Sequence, residues 1–259
     1  MPEPTYAYGD SEVAGDRLAL LAEVFEPSTA EFLDAAVPTD VELAIDLGCG
    51  PGFTTRLLAS HSGARRTVGL ESSPAFVARA RRELAGGPGG SIEVLEHDVT
   101  EVPFPVGPAD VVFARYLLAH LPDPELLIGQ WRGQVRSAGR LLVEEIVSIE
   151  TTDPVLARYV ALVTELSASR GTDLLVGGRL RASGSVVYDA TAPIAPSPSA
   201  VARLFEMNLG VWRLDPWAEA ELDPRELDEL ADALAALVVT PPPMGAIVWR
   251  HRQLAYECD

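Results

Sequence analysis

The stretch Ala44-Ile45-Asp46-Leu47-Gly48-Cys49-Gly50-Pro51-Gly52-Phe53-Thr54-Thr55 constrains this chain more than any other: an apolar run ends in an acid, then in three glycines spaced two apart. This is the pattern of a strand that feeds a tight loop and then a helix. Gly48, Gly50 and Gly52 permit positive φ and let backbone groups approach a ligand that a β-carbon would exclude. The dinucleotide fingerprint G-x-G-x-x-G fails, because the third position after Gly50 is Phe53. A phosphate-binding loop is excluded too, since no Gly-Lys-Ser/Thr follows and the chain contains no lysine. Schiff-base chemistry through a lysine goes with it.

The string IDLGCGPG resembles the first motif of the class I S-adenosylmethionine-dependent methyltransferases, and the later landmarks fall in that family's order. The resemblance is specific over roughly residues 41–147 and thin elsewhere. It implies a Rossmann-like open α/β sheet, mostly parallel with an antiparallel last strand. Helices cover both faces, with extra N-terminal helices and a helical segment over the substrate. It also implies S-adenosyl-L-methionine as cofactor and S-adenosyl-L-homocysteine as product. Gly48, Cys49 and Gly50 would then line the methionine part of the cofactor, with Asp46 holding its amino group directly or through water.

With 259 residues, 47% of them apolar, the chain can bury a large core and fits one catalytic unit. The net charge of −18 repels phosphate backbones and anionic membranes, which argues against nucleic-acid and membrane partners and modestly favours neutral or cationic acceptors. Two cysteines, Cys49 and Cys258, make neither a disulfide framework nor a metal cluster, so a reducing, cytoplasmic setting is expected. The N-terminal MPEPTYAYGDSEVAGD is acidic without an apolar core, and no apolar run reaches about 18 residues, so neither a signal peptide nor a membrane span is expected.

Capping residues followed by proline mark helix starts at Ser73-Pro74, Asp123-Pro124, Asp153-Pro154, Ser197-Pro198 and Asp223-Pro224. Ser28 with Glu31 and Asp223 with Glu226 have capping-box spacing. Periodicity predicts two short helices within residues 11–36, as a lid or brace. Strands are expected near 41–47, 66–70, 92–96, 109–114 and 140–147, and helices near 53–60, 74–85 and 124–137. That alternation predicts a parallel sheet. Beyond residue 150 a helix (154–170), a Gly/Arg-rich segment (171–184), a strand (185–191), helices (199–211 and 224–238) and a last strand, AIVWRHRQLAYE, follow. The whole reads as a single domain over 1–259. Its parts are N-terminal helices (1–40), a cofactor core (41–150), a covering segment (151–184) and the C-terminal completion of the sheet (185–259). A monomer and a homodimer both remain open.

Glu71 ends the strand TVGL 25 positions after Asp46, where a carboxylate can accept both ribose hydroxyls; exposed helix capping is the alternative. Ser72 follows it in GLESSP. The resemblance places Asp98 where an acid binds the adenine amino group, with the Val99 N–H offered to the ring; a plain turn acid is the alternative. Arg115, after the fourth strand, would shape the methionine side or donate to the acceptor, or else salt-bridge an acid. Arg17 is a candidate partner of the cofactor carboxylate, against the commoner solvated arginine.

His120 is the candidate base, because its ordinary pKa lies near working pH; in the resembling family a histidine in strings such as AHLPDP also serves structure. Glu144 and Glu145 close the fifth strand, and alternation sends one toward the pocket, taken as Glu145. His61, His97 and His251 lack ligand spacing, so no metal is expected. VRSAGR replaces a family proline-glycine-glycine turn with Ser137-Ala138-Gly139. Tyr116, Tyr159, Arg179, Trp212 and Trp217 are further pocket candidates, against the commoner core or surface placement of such residues. The expected function is methyl transfer from the sulfonium to an O, N or C atom of a small-molecule acceptor, in specialised metabolism. The alternative is a non-methylating protein that keeps the cofactor site, such as a cyclase or a ligand-binding module.

Overall fold

The computed structural model describes residues 12–86 and 91–259, so the start of the segment 1–40 lies outside the described residues. Its elements are α1 (Glu12–Ala36), β1 (Leu43–Leu47), α2 (Phe53–Ser62), β2 (Arg66–Glu71), α3 (Pro74–Glu83), β3 (Ser91–Glu96) and β4 (Ala109–Arg115). There follow α4 (Pro124–Arg132), β5 (Val135–Thr151), α5 (Pro154–Ser169), β6 (Val186–Ile194), α6 (Pro198–Trp212), α7 (Pro216–Glu221), α8 (Pro224–Val239) and β7 (Ile247–Glu257). The seven strands form one sheet in the order β3-β2-β1-β4-β5-β7-β6. β1 to β5 pair in parallel, while β7 runs antiparallel between β5 and β6. This is the expected open α/β sheet. Its order reverses between β1 and β4, the place where open α/β sheets bind ligands beyond the carboxyl ends of their strands.

The central strands are buried on both faces, as parallel strands covered by helices must be. One face holds Leu43, Ile45, Val68, Val112, Trp131 and Leu141; the other packs Ala44, Val111, Phe113 and Leu142 under Phe32 and Leu33 of α1. A third cluster joins Phe25, Tyr159, Phe205, Trp212 and Trp249 above the carboxyl ends of the strands. It ties α1, α5, α6 and β7 into one cap.

Four of the five proline-capped starts carry the expected bond: Ser73, Asp123, Asp153 and Asp223 accept backbone N–H groups of their own first turns. Ser197 instead pairs with Ser199 Oγ. Several expectations are corrected. Residues 12–36 form one helix with Pro27 inside it, rather than two. Ser28 caps nothing there, because its carbonyl and hydroxyl accept from Gln253 Nε2 of β7. Glu226 ion-pairs with Arg158 rather than closing a capping box. α4 stops at Arg132, and VRSAGR belongs to β5, where Ala138 takes a φ of 63° and the register to β4 jumps from Ala109–Val135 to Val111–Arg140. The substituted turn is therefore a strand bulge.

Candidate cofactor and acceptor site

Asp46 closes β1, and its Oδ2 accepts the hydroxyls of Thr54 and Thr55, each at 2.7 Å, in the first turn of α2. Strand end and helix start are thereby tied, and the intervening loop turns through Gly48, Gly50 and Gly52, all with positive φ. A Cβ on Gly48 would meet Leu117 Cδ1 at 2.7 Å, so close packing and backbone conformation both call for glycine. Cys49 sits against β2, where Gly69 makes room for it: a Cβ at Gly69 would lie 2.6 Å from Cys49 Sγ. At the tip of β2, Glu71 Oε2 accepts the Gly50 N–H (2.9 Å) and Oε1 accepts the Ser73 N–H (2.8 Å). Each oxygen keeps a further lone pair for a ligand hydroxyl.

A cavity of about 450 Å³ opens beyond these strand ends. Of the twelve residues expected to hold the cofactor or act in proton transfer, ten line it: Arg17, Gly48, Cys49, Gly50, Glu71, Ser72, Asp98, Val99, Arg115 and His120. Asp98 presents its carboxyl from an Asx turn in which Oδ1 accepts the Thr100 N–H and hydroxyl, both at 2.8 Å. Val99 is held from behind, its carbonyl accepting the Trp131 indole N–H at 2.8 Å.

Asp46 and Glu145 stand outside the lining, so neither touches the cavity directly. Burial pushes the Asp46 carboxyl up to about 7 against the opposing threonine bonds, and its place is to fix the loop. Glu145 lies behind the chain that leaves β4. Its Oε1 accepts the N–H groups of Leu117 (2.8 Å) and Leu118 (2.7 Å), and burial raises it to about 8. Those bonds steady a sharp turn in which Tyr116 adopts a φ of 52°, an uncommon conformation for an aromatic residue.

Glu144 faces the opposite side, as alternation requires, into a buried polar network. It accepts from Thr29 (2.6 Å) and Gln253 (2.7 Å) and stands 3.6 Å from Arg115 Nε. Against burial, His251 first, then Arg115 and Thr29, keep its carboxyl below the ordinary range. Tyr116 OH reaches the His251 ring at 3.0 Å, completing the network. The salt bridge foreseen for Arg115 thus exists, with Glu144.

His120 is pushed down to about 4, first by burial and then by the charges of Arg17 and Arg170, so it is a neutral imidazole at ordinary pH. Tyr116 lines the cavity; Tyr159, Arg179, Trp212 and Trp217 do not, and Tyr159 and Trp212 are core. Sequence reading missed Leu18, Leu21, Ile146, Leu174, Leu204, Asn208 and Trp249, which form the far wall. A lone asparagine on an amphipathic helix and a tryptophan in an alternating strand give no local signal; the return of β7 beside β5 brings Trp249 here, and the packing of α6 on α1 brings Asn208.

Comparisons with known proteins agree with this geometry. Residues 45–143 match the family described as "Methyltransferase domain". The chain is 32% identical to a trans-aconitate 2-methyltransferase of Methylobacterium radiotolerans over 169 residues, 64% of this chain and 62% of that protein. It thus spans less than two thirds of that relative's length. Among solved structures, a putative type II methyltransferase from Anaeromyxobacter dehalogenans superposes with a TM-score of 0.57 at 17% identity, covering 89% of this chain and 95% of the other. The cyclopropane synthase MmaA2 of Mycobacterium tuberculosis gives 0.55 at 15%, covering 91% and 83%. Those two likenesses concern the fold. The match over 45–143 and the strand order that carries it agree with the resemblance of the glycine-loop motif to the class I S-adenosylmethionine-dependent methyltransferases.

Proposed function

We propose that the chain binds S-adenosyl-L-methionine and transfers its methyl to an O, N or C atom of a small-molecule acceptor in specialised metabolism, releasing S-adenosyl-L-homocysteine. The observation that carries this reading is the convergence on one cavity of the glycine loop, the Glu71 carboxyl and the Asp98 carboxyl from three successive strand ends. Gly48, Cys49 and Gly50 would hold the methionine part, Glu71 the ribose hydroxyls, and Asp98 with the Val99 N–H the adenine. Arg17 and Ser72 would complete the cradle. The cofactor, when bound, supplies an electrophilic methyl on its sulfonium.

What this chain's residues do is align and dehydrate. Leu18, Leu21, Ile146, Leu174 and Leu204 wall the space apart from water, and in-line alignment can contribute several kcal/mol on its own. His120, neutral and beside the cavity, takes the proton of an acceptor hydroxyl or amine. Cys49 and Cys258 are free and buried, which fits a reducing, cytoplasmic setting, and no helix among the described residues is long and apolar enough to cross a membrane.

Incubation with methyl-labelled cofactor and the small-molecule fraction of an extract tests the transfer. Label should appear in small molecules alongside S-adenosyl-L-homocysteine. Cofactor that binds but is never consumed would contradict it and favour a non-methylating role.

A further inference from the structure

Three side chains on the far wall carry buried polar atoms with no hydrogen-bond partner: Arg115 (Nε and Nη2), Trp249 (Nε1) and Asn208 (Oδ1). All three line the cavity yet are at most 8% exposed. Leaving such an atom unpaired costs about 1–3 kcal/mol, so four in one wall need a reason; the Arg115 charge is balanced by Glu144 at 3.6 Å from Nε, but its Nη2 still has no hydrogen-bond acceptor. They come from separate parts of the fold. Arg115 ends β4 beside Glu144; Trp249 lies on β7, with its ring 4.8 Å from Phe25 and 6.3 Å from Phe205; Asn208 sits one turn beyond Phe205 on α6. None belongs to the glycine loop or to the tips of β2 and β3. The surrounding wall is apolar: Leu18, Leu21, Ile146, Leu174 and Leu204.

The unpaired set has a definite sense. A guanidinium and an indole N–H are donors only, whereas an amide oxygen is an acceptor. Arg17 and Arg170 both act on His120 as positive charges, so cationic side chains stand at this end of the cavity, Arg170 paired with Asp215 and Arg115 with Glu144, even though the chain as a whole carries −18. Net charge acts over distances that salt screens within about 10 Å; a guanidinium in the wall acts at contact.

Building on the methyl-transfer reading, we infer that the acceptor is a carboxylic acid with an apolar body and a hydroxyl or N–H group, its carboxylate received by Arg115 and Trp249 and its donor by Asn208. A compact tricarboxylate would satisfy the donors but leave the five aliphatic side chains facing charge.

Calorimetry on the full chain saturated with S-adenosyl-L-homocysteine tests this, with 3-(4-hydroxyphenyl)propanoate, 4-hydroxybenzoate and 12-hydroxydodecanoate as probes against their methyl esters and against trans-aconitate. Asn208→Leu and Trp249→Phe are titrated alongside wild type. At least one hydroxy acid should bind at least tenfold tighter than its ester and than trans-aconitate, and each variant should weaken that acid about tenfold or more. Both variants should still bind S-adenosyl-L-homocysteine as wild type does. Asn208→Leu should also melt no lower, since it removes an unpaired buried polar atom without opening a cavity, whereas Trp249→Phe leaves a void in the cap and serves only for the binding comparison.

Acids binding no better than esters, tighter binding of trans-aconitate, or variants that bind the acid normally would each overturn the inference and leave the cofactor reading intact. Loss of S-adenosyl-L-homocysteine affinity in the variants would assign these atoms to the cofactor instead, and overturn it too. Failure of wild type to bind S-adenosyl-L-homocysteine at all would overturn both.

Discussion

Glu71 does with one carboxyl what the glycine loop cannot do alone: it fixes the loop through the Gly50 N–H and the start of α3 through Ser73, while its free lone pairs face the cavity. Its place was legible because an acid at the end of an apolar strand, 25 residues after Asp46, has few other uses. His120 was legible as a residue but not as a state. Nothing in AHLPDP announces that burial and two arginines hold the ring near 4. Removing it in His120→Ala should lower the methyl-transfer rate about 100-fold without changing cofactor affinity, measured by single-turnover kinetics and calorimetry. A variant with full rate would exclude proton transfer by His120. Glu145 was legible only as half of a pair. Alternation splits Glu144 from Glu145, but which face meets the ligand depends on the chain leaving β4, whose N–H groups claim the Glu145 carboxyl.

At the scale of elements, β1, the glycine loop and α2 act as one piece because Asp46 clamps them and Gly69 of β2 lets Cys49 pack beneath. Gly69→Ala places a Cβ 2.6 Å from Cys49 Sγ and 3.0 Å from Thr55 Oγ1, inside a packed strand that cannot retreat. A loss of about 1–3 kcal/mol in chemical denaturation is expected, with weaker cofactor binding from the displaced loop. An unchanged midpoint and affinity would contradict the packing of loop on strand.

The strands of the core were readable from apolar runs punctuated by turn residues, and most helix starts from their Asp-Pro and Ser-Pro pairs. Two features were not. The capping-box spacing of Ser28 and Glu31 suggested a second helix start, yet Phe25, Thr29, Phe32 and Leu33 are all fully buried, and that tertiary packing carries one helix through Pro27. α7 has its own Asp215-Pro216 cap but spans only 6 residues, too few to show periodicity.

Across the whole molecule the buried acids should set the dependence of stability on pH. Asp46 and Glu145 titrate near 7 and 8 in the folded chain against ordinary values near 4, so folded protein holds more protons than unfolded from about pH 4 to 8. Stability therefore falls as pH rises through that range. His120 opposes this between about 4 and 6.5, where the unfolded chain binds the extra proton. The net decline should be clearest from pH 6.5 to 8, on the order of 1–2 kcal/mol in urea unfolding, and Glu145→Gln should flatten it. A profile that rises over that interval, or one unaffected by the substitution, would contradict the assignment of Glu145 as a buried neutral acid.

The most direct measurement is a calorimetric titration of the protein with S-adenosyl-L-methionine and with S-adenosyl-L-homocysteine, repeated on Glu71→Ala. Micromolar binding of both, weakened roughly 100-fold by the substitution, is expected from a carboxylate that accepts two ribose hydroxyls. Absence of binding by either ligand to the unaltered chain, or affinity indifferent to Glu71, would contradict the cofactor site on which every role assigned here depends.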